Sequence, residues 1–205
     1  SLKFVLYGAS PIADDTILKA KEIMKCDLFQ VYGLTETAGA ITILMPEDHD
    51  PEKGKLRSCG KALNSVEIKV VDDEGNEVKT GDIGEVISKS PLNMKGYWNR
   101  PDATEEAIKD GWFYSGDAGF FDDEGYLYIH DRVKDMIVSG GENIYPAEVE
   151  NALMSHPEIA DAAVIGVPDE KWGESVKGFV VLQPDSSLDE TEIISYTRTQ
   201  IAGYK

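Results

Sequence analysis

A chain of 205 residues is long enough for one ordinary domain with a sizeable core, or for two small ones joined by a hinge. Its 38 Asp and Glu against 20 Lys and Arg give a formal net charge of −18, interspersed along the chain, which repels nucleic-acid phosphates and anionic lipid surfaces alike. Cys26 and Cys59 stand far apart without a paired CxxC spacing, no apolar run approaches the roughly 20 residues of a membrane span, and no signal-peptide pattern opens the chain, so a zinc site, a disulfide framework and a spanning helix are not indicated and a cytoplasmic protein with reduced thiols is expected.

The apolar runs Phe4-Val5-Leu6-Tyr7 and Leu28-Phe29-Gln30-Val31-Tyr32 predict two strands. Between them Ser10 can cap a helix, Pro11 suits its first position, and Ile17, Ala20 and Met24 recur at helical spacing. This is one βαβ crossover of a parallel sheet, which looks incomplete on its N-terminal side because such sheets need several strands. From about Lys55 to Asp131 the texture turns all-β: Val66, Ile68 and Val70 alternate with Glu67 and Lys69 ahead of Asp73-Glu74-Gly75-Asn76, and a similar turn, Asp122-Asp123-Glu124-Gly125, separates Gly119-Phe120-Phe121 from Tyr126-Leu127-Tyr128-Ile129. Neither turn has the ligand spacing of an EF-hand loop. Beyond Arg132 the pattern predicts a small α+β unit, with a strand at Met136-Ile137-Val138, a helix from Pro146 carrying Val149 and Leu153 on one face and stopped by Pro157, strands at 162–167 and 178–182, and a last helix from about Asp189 with the capping-box pair Asp189 and Glu192.

Chemistry concentrates in Tyr32-Gly33-Leu34-Thr35-Glu36-Thr37, directly after a strand of the parallel pair, where open α/β sheets place their ligands. The residue types suit a nucleoside triphosphate: a glycine permits close backbone approach, the Thr35 hydroxyl can bond a phosphate oxygen, and Glu36 offers a hard oxygen to Mg²⁺. No Walker-type Gly-x-x-x-x-Gly-Lys-Ser/Thr sequence competes with it.

This segment resembles the Tyr-Gly-x-Thr-Glu motif of the adenylate-forming (AMP-binding) enzymes, which include acyl-CoA synthetases, peptide-synthetase adenylation domains and luciferases. Tyr7-Gly8-Ala9-Ser10-Pro11 is similar to that family's Gly-Gly-Ala-x-Pro loop near the adenine, with Tyr7 in place of the first glycine. Tyr114-Ser115-Gly116-Asp117 resembles the x-x-Gly-Asp end of the family's Tyr-x-x-Gly-Asp motif, whose aspartate takes the ribose hydroxyls. Asp131-Arg132-Val133-Lys134-Asp135, continuing through Ser139-Gly140-Gly141-Glu142-Asn143-Ile144-Tyr145-Pro146-Ala147-Glu148-Val149-Glu150, resembles the signature joining the family's two domains. The resemblance covers essentially the whole chain and is nearest to fatty acyl-CoA synthetases.

The resemblance implies a fold of mixed α/β and α+β class: the end of a parallel α/β subdomain (1–49), a small β-barrel-like subdomain (50–131) and a small mobile α+β C-terminal domain (132–205). It implies ATP-dependent formation of an acyl-adenylate from a carboxylic acid, in which the carboxylate attacks the α-phosphorus and pyrophosphate leaves, followed by thioester formation with coenzyme A. ATP or AMP falls to Gly8, Ala9, Ser10, Gln30, Tyr32, Gly33, Thr35, Asp117 and Arg132, Mg²⁺ to Glu36, and coenzyme A to Ser139, Gly140 and Gly141; Lys134 marks the hinge. Thr35, Glu36, Arg132 and Lys134 make up the implied catalytic set, with Arg132 offsetting negative charge and tolerating Lys poorly because a planar fork is not a point charge. In that family a lysine at the hinge is more typical of fatty acid enzymes than an aspartate, and the resemblance implies a medium- or long-chain fatty acid as substrate. The family's upstream phosphate loop and the lysine expected beyond Lys205 are absent, so the 205 residues alone are expected to adenylate nothing at a useful rate. Two alternatives stand beside this one: an aryl- or amino-acid-activating enzyme loading a carrier protein, and a non-catalytic interaction module. Trp98, Trp112 and Trp172 are read as packing residues.

Overall fold

The first apolar run becomes β1 (Phe4–Gly8), the opening strand of a computed structural model that describes residues 2–9, 12 and 14–205. Helix α1 (Asp14–Met24) comes next, and its first turn carries Asp14 and Asp15, which suit the positive end of the helix dipole. The expected cap Ser10 and the expected first helical residue Pro11 lie outside the described residues. Ile17 packs with Leu28 and Leu56 in a small core to which Val5, Tyr7 and Leu18 add. Met24, expected on the same stripe, is 47% exposed, because the helix ends there and Lys25 turns the chain away with a left-handed φ of 48°. Strand β2 (Asp27–Leu34) pairs with β1 in parallel from Phe4↔Asp27 to Gly8↔Val31, so the βαβ crossover stands.

Strand β2 also forms the first arm of a hairpin. After one 3₁₀ turn (Thr35–Thr37) the chain returns as β3 (Gly39–Leu44), antiparallel to β2, and β4 (Lys61–Ala62) pairs with β3. The sheet order β1-β2-β3-β4 is thus parallel on one side of β2 and antiparallel on the other. Tyr7 and His49 tie β1 to the segment after β3: His49 Nδ1 lies 2.8 Å from the Met45 carbonyl and donates to it, which leaves Nε2 to accept the Tyr7 O–H at 2.9 Å.

Burial of His49 holds its pKa below the ordinary 6.5, with Lys21 pushing the same way and the Met45 carbonyl and Asp48 opposing. The fold therefore disfavours the protonated ring, so this contribution to stability is fully present above pH 6.5, the unfolded value, and is lost as pH falls toward the lower folded value. Thermal unfolding followed from about pH 7 to pH 5 should show a falling midpoint, and His49→Gln should flatten that slope.

A second sheet holds β5 (Glu67–Val71), β6 (Gly84–Lys89), β7 (Ile108–Lys109), β8 (Trp112–Phe121) and β9 (Leu127–Arg132) in the order β5-β6-β8-β7, with β9 also on β8. Cys59, Val70, Val86 and Leu127 form its core. The two acidic turns are built alike: Asp72 and Asp122 each accept the amide two residues on (Glu74, Glu124) and the amide four residues on (Asn76, Tyr126) through Oδ1, and each carbonyl accepts the following glycine amide. The aspartates thus supply the turns' internal hydrogen bonds. The all-β reading from about Lys55 to Asp131 needs a correction, since Pro101–Ala107 forms a helix, α2, with proline at its first position; seven residues are too few for a periodic signal.

The chain divides into two compact units, Ser1–Ile129 and His130–Lys205. In the second, β10 (Ile137–Ser139), β11 (Glu142–Ile144), β12 (Ile159–Asp169) and β13 (Gly173–Leu182) form an antiparallel sheet in the order β11-β10-β13-β12. Helix α3 (Pro146–Met154) buries Val149 and Leu153 against Ile137, Ile144, Ile159 and Val164. Helix α4 (Glu190–Gln200) carries the expected capping box, with Asp189 accepting the Glu192 amide at 2.9 Å and Glu192 accepting the Asp189 amide at 3.1 Å.

Candidate functional site

The Thr35-Glu36 pair sits at the tip of the β2–β3 hairpin, and the hairpin's own chemistry holds it there. Thr37, 1% exposed, accepts the Leu34 amide at 2.9 Å through Oγ1, which also lies 2.7 Å from the Gly39 carbonyl. A side chain on Gly33 would put its Cβ 2.0 Å from that same carbonyl, so glycine at position 33 is demanded by the returning strand. The loop presents Thr35 exposed and Glu36 half-buried.

Glu36 is oriented from a distance. Tyr97 O–H donates to Glu36 Oε1 at 2.8 Å, and Met94 N–H donates to the Glu36 carbonyl at 2.6 Å. Tyr97 is itself placed by α2, since its amide donates to Thr104 Oγ1 at 2.9 Å. This corrects the sequence reading on two points, because neither α2 nor Tyr97 figured in it, and a contact spanning 61 residues leaves no local signal.

Asp117 owes its position to a bulge. Between the pairs Glu85↔Ala118 and Ile87↔Tyr114, β8 advances four residues while β6 advances two. Ser115 Oγ donates to the Val86 carbonyl at 2.6 Å and accepts the Asp117 amide at 3.0 Å, while Gly116, with a φ of 71° that favours glycine, donates its amide to Glu85 Oε1 at 2.9 Å. The bulge leaves Asp117 6% exposed, with Oδ2 accepting the Tyr32 hydroxyl at 2.6 Å. Burial and the Asp117 charge push the Tyr32 phenol far above its usual range, so it remains a donor.

Gln30, two residues before Tyr32, buries its carboxamide oxygen without a hydrogen-bond donor among the described residues. Burying an acceptor this way costs about 1–3 kcal/mol unless something satisfies it. Gly8 lies on β1 opposite Val31, and Ala9 follows in the left-handed region with a φ of 65°; Ser10 lies outside the described residues. Cys59, buried and pushed up to about 11 by that burial, is an unreactive thiol, and neither cysteine is in a disulfide.

A lone carboxylate fits Mg²⁺, which is held by one or two carboxylates plus substrate phosphates rather than by an all-protein cage. Among the described residues no group of three His, Cys, Asp or Glu side chains could hold a metal by itself.

The second unit carries the remaining expected residues. Arg132 and Lys134 are exposed at its start, Lys134 within the 3₁₀ turn Val133–Asp135. Asp131 ties the Arg132 backbone to α3: Oδ1 accepts the Arg132 amide and Oδ2 the Ala147 amide in the first turn of α3, both at 2.8 Å, so a side chain distant in sequence supplies the cap that Tyr145 does not. Ser139, Gly140 and Gly141 form the tight β10–β11 hairpin, with φ of 60° and 87° at the glycines. A Cβ on Gly140 would come within 2.8 Å of the Trp172 ring, and the Gly140 amide donates to the Trp172 carbonyl at 2.8 Å. Gly140→Ala should cost about 1–2 kcal/mol in left-handed strain alone and shift the Trp172 side chain, read out by thermal unfolding and tryptophan fluorescence.

The family described as AMP-binding enzyme matches residues 1–98, and that described as AMP-binding enzyme C-terminal domain matches residues 148–205. A fatty acid–[acyl-carrier-protein] ligase, ScoC of Streptomyces coeruleorubidus, is 41% identical over the whole chain, which covers 40% of its length. The long-chain-fatty-acid–CoA ligase FadD13 of Mycobacterium tuberculosis is 42% identical over 99% of the chain and 39% of its own. Among solved structures, the o-succinylbenzoate CoA synthetase of Bacillus subtilis with its acyl-adenylate intermediate superposes with a TM-score of 0.91 at 41% identity, covering 100% of this chain and 41% of that one; the same synthetase is also solved with ATP and magnesium ion. The chain spans about 40% of the length of the curated relatives it matches.

Proposed function

The chain belongs to the AMP-binding enzyme family, and from that premise we propose that it carries part of the active site of an acyl-CoA synthetase, which joins a carboxylic acid to AMP and then passes the acyl group to coenzyme A. One observation carries the reading: the buried Asp117 on the β8 bulge meets the Tyr32 hydroxyl at 2.6 Å, bringing together two motifs 85 residues apart. A carboxylate so placed suits a ribose diol. Gln30 supplies a buried acceptor on the same strand as Tyr32, Thr35 a hydroxyl for phosphate and Glu36 an oxygen for Mg²⁺. Bound Mg²⁺ would offset the phosphate charge that builds as pyrophosphate leaves. Catalysis then rests on positioning and charge, with no covalent enzyme intermediate.

For the second unit we propose that Arg132 lends positive charge to the nucleotide, that Lys134 is the hinge, and that the Ser139-Gly140-Gly141 hairpin receives the pantetheine arm of coenzyme A. A fatty acid is the proposed substrate, in keeping with the fatty-acid ligases ScoC and FadD13. Since ScoC is named for an acyl-carrier protein, a carrier-protein thiol is the second reading. The test is ATP–pyrophosphate exchange by this chain and by the complete gene product with a panel of fatty, aryl and amino acids, followed by a choice of coenzyme A or carrier protein as acceptor. Exchange stimulated by fatty acids and a coenzyme A thioester support the reading. Exchange with no acid in the complete product overturns it.

A further inference from the structure

The residue that accepts the amide at the Asp117 bulge is Glu85, which lies outside the motifs singled out in the sequence. Glu85 lies on β6 at the last regular pair before the ladder slips, opposite Ala118, and turns its carboxylate onto the backbone of the neighbouring strand to accept the Gly116 amide at 2.9 Å. A charged acceptor on an amide makes a stronger bond than a neutral one. Gly116 is where β8 departs from the ladder with a φ of 71°, so its amide has no strand partner of the ordinary kind and needs one from a side chain.

We propose that Glu85 is a positioning residue for the ribose-binding carboxylate of Asp117, an inference that rests on the nucleotide-binding role proposed for Asp117. Ser115 fixes the inner side of the bulge, to Val86 and to the Asp117 amide, and Glu85 fixes its apex. Side chains on a strand alternate faces, so a bulge that relaxes by one residue rotates Asp117 away from Tyr32. Glu85 therefore acts on the nucleotide only through Asp117, and its loss affects the ribose contact and leaves the base and phosphate contacts in place.

The test compares ATP with 2′,3′-dideoxy-ATP, which lacks the hydroxyls Asp117 would bind, by equilibrium binding to the complete gene product. In Glu85→Ala the affinity for ATP should fall about tenfold, as for other residues that orient a ligand-binding group, with little change for the dideoxy nucleotide, so the preference between them shrinks. Glu85→Gln, whose carboxamide oxygen can still accept the Gly116 amide, should keep most of the preference. A merely structural role would weaken both nucleotides equally. Asp117→Ala is the control: if it retains the preference, or if the wild type has none, the nucleotide reading fails and the Glu85 proposal with it. If Asp117→Ala abolishes the preference while Glu85→Ala keeps it whole, the Glu85 proposal alone is overturned. Should Glu85→Ala not be recovered folded, Glu85→Asp, which keeps the charge but falls short of the amide, carries the same expectation, and a full preference in that variant overturns the proposal.

Discussion

Asp117→Ala is expected to weaken ATP binding by the complete gene product roughly a hundredfold and to lower the stability of the first unit as well. Hydrogen bonds to a charged group contribute about 1.5–3 kcal/mol each, so losing the carboxylate proposed to take the ribose diol should cost about 3 kcal/mol after partial replacement by water, or a factor of about a hundred. The stability loss has a separate cause. Tyr32 is mostly buried and donates to Asp117 at 2.6 Å; removing the acceptor leaves that hydroxyl to find another partner, at a cost of about 1–3 kcal/mol. Asp117→Asn separates the effects, since it keeps the shape and an acceptor but not the charge: stability should recover more than affinity. Binding titrations and denaturant unfolding read the two quantities independently. Unchanged ATP affinity in a folded Asp117→Ala protein would contradict the assignment.

The second large effect is expected at Glu36. Replacing it with Ala removes the carboxylate at the hairpin tip and the acceptor that Tyr97 reaches at 2.8 Å, and the rate of acyl-adenylate formation should fall a hundredfold or more, about the cost of losing one charge-stabilising group. The Mg²⁺ concentration needed for half-maximal rate should rise at the same time. Tyr97→Phe, which disturbs the orientation of Glu36 without removing it, should raise the Mg²⁺ requirement by a smaller factor, about tenfold, with a modest loss of rate. A Glu36→Ala enzyme with a normal rate and normal Mg²⁺ dependence would remove this residue from the metal's surroundings.

The sequence made these two residues conspicuous but did not reveal how they are held. Strands β1, β2, β5 and β13 and helices α3 and α4 announce themselves by apolar spacing, and the Asp189–Glu192 cap by its three-residue interval, because such signals are local. Strand β3 stayed hidden, since Gly39 and Ala40 open it beside a threonine-rich turn and nothing local says that Gly33 must meet its backbone. The bulge at Gly116 is a property of two strands read together: it exists only once the register of β6 against β8 is known, so neither Glu85 nor Ser115 could be singled out from spacing. Tyr97 acts on Glu36 through α2, and Asp131 caps α3 from sixteen residues away in sequence, contacts that folding creates. The glycines illustrate the difference in another way. Gly33, expected to admit a ligand, is required by the carbonyl of Gly39, while Gly140 and Gly141 are required by a two-residue hairpin turn.

The proposed reaction is the attack of a carboxylate on the α-phosphorus of ATP to form an acyl-adenylate. The complete gene product incubated with ATP, Mg²⁺, coenzyme A and a fatty acid labelled with ¹⁸O in its carboxyl group tests it most directly. One ¹⁸O is expected in the phosphate of AMP, because the oxygen that bridges acyl group and phosphorus stays with AMP when the thiol cleaves the adenylate. Label found in inorganic phosphate, or AMP formed without label, would contradict it.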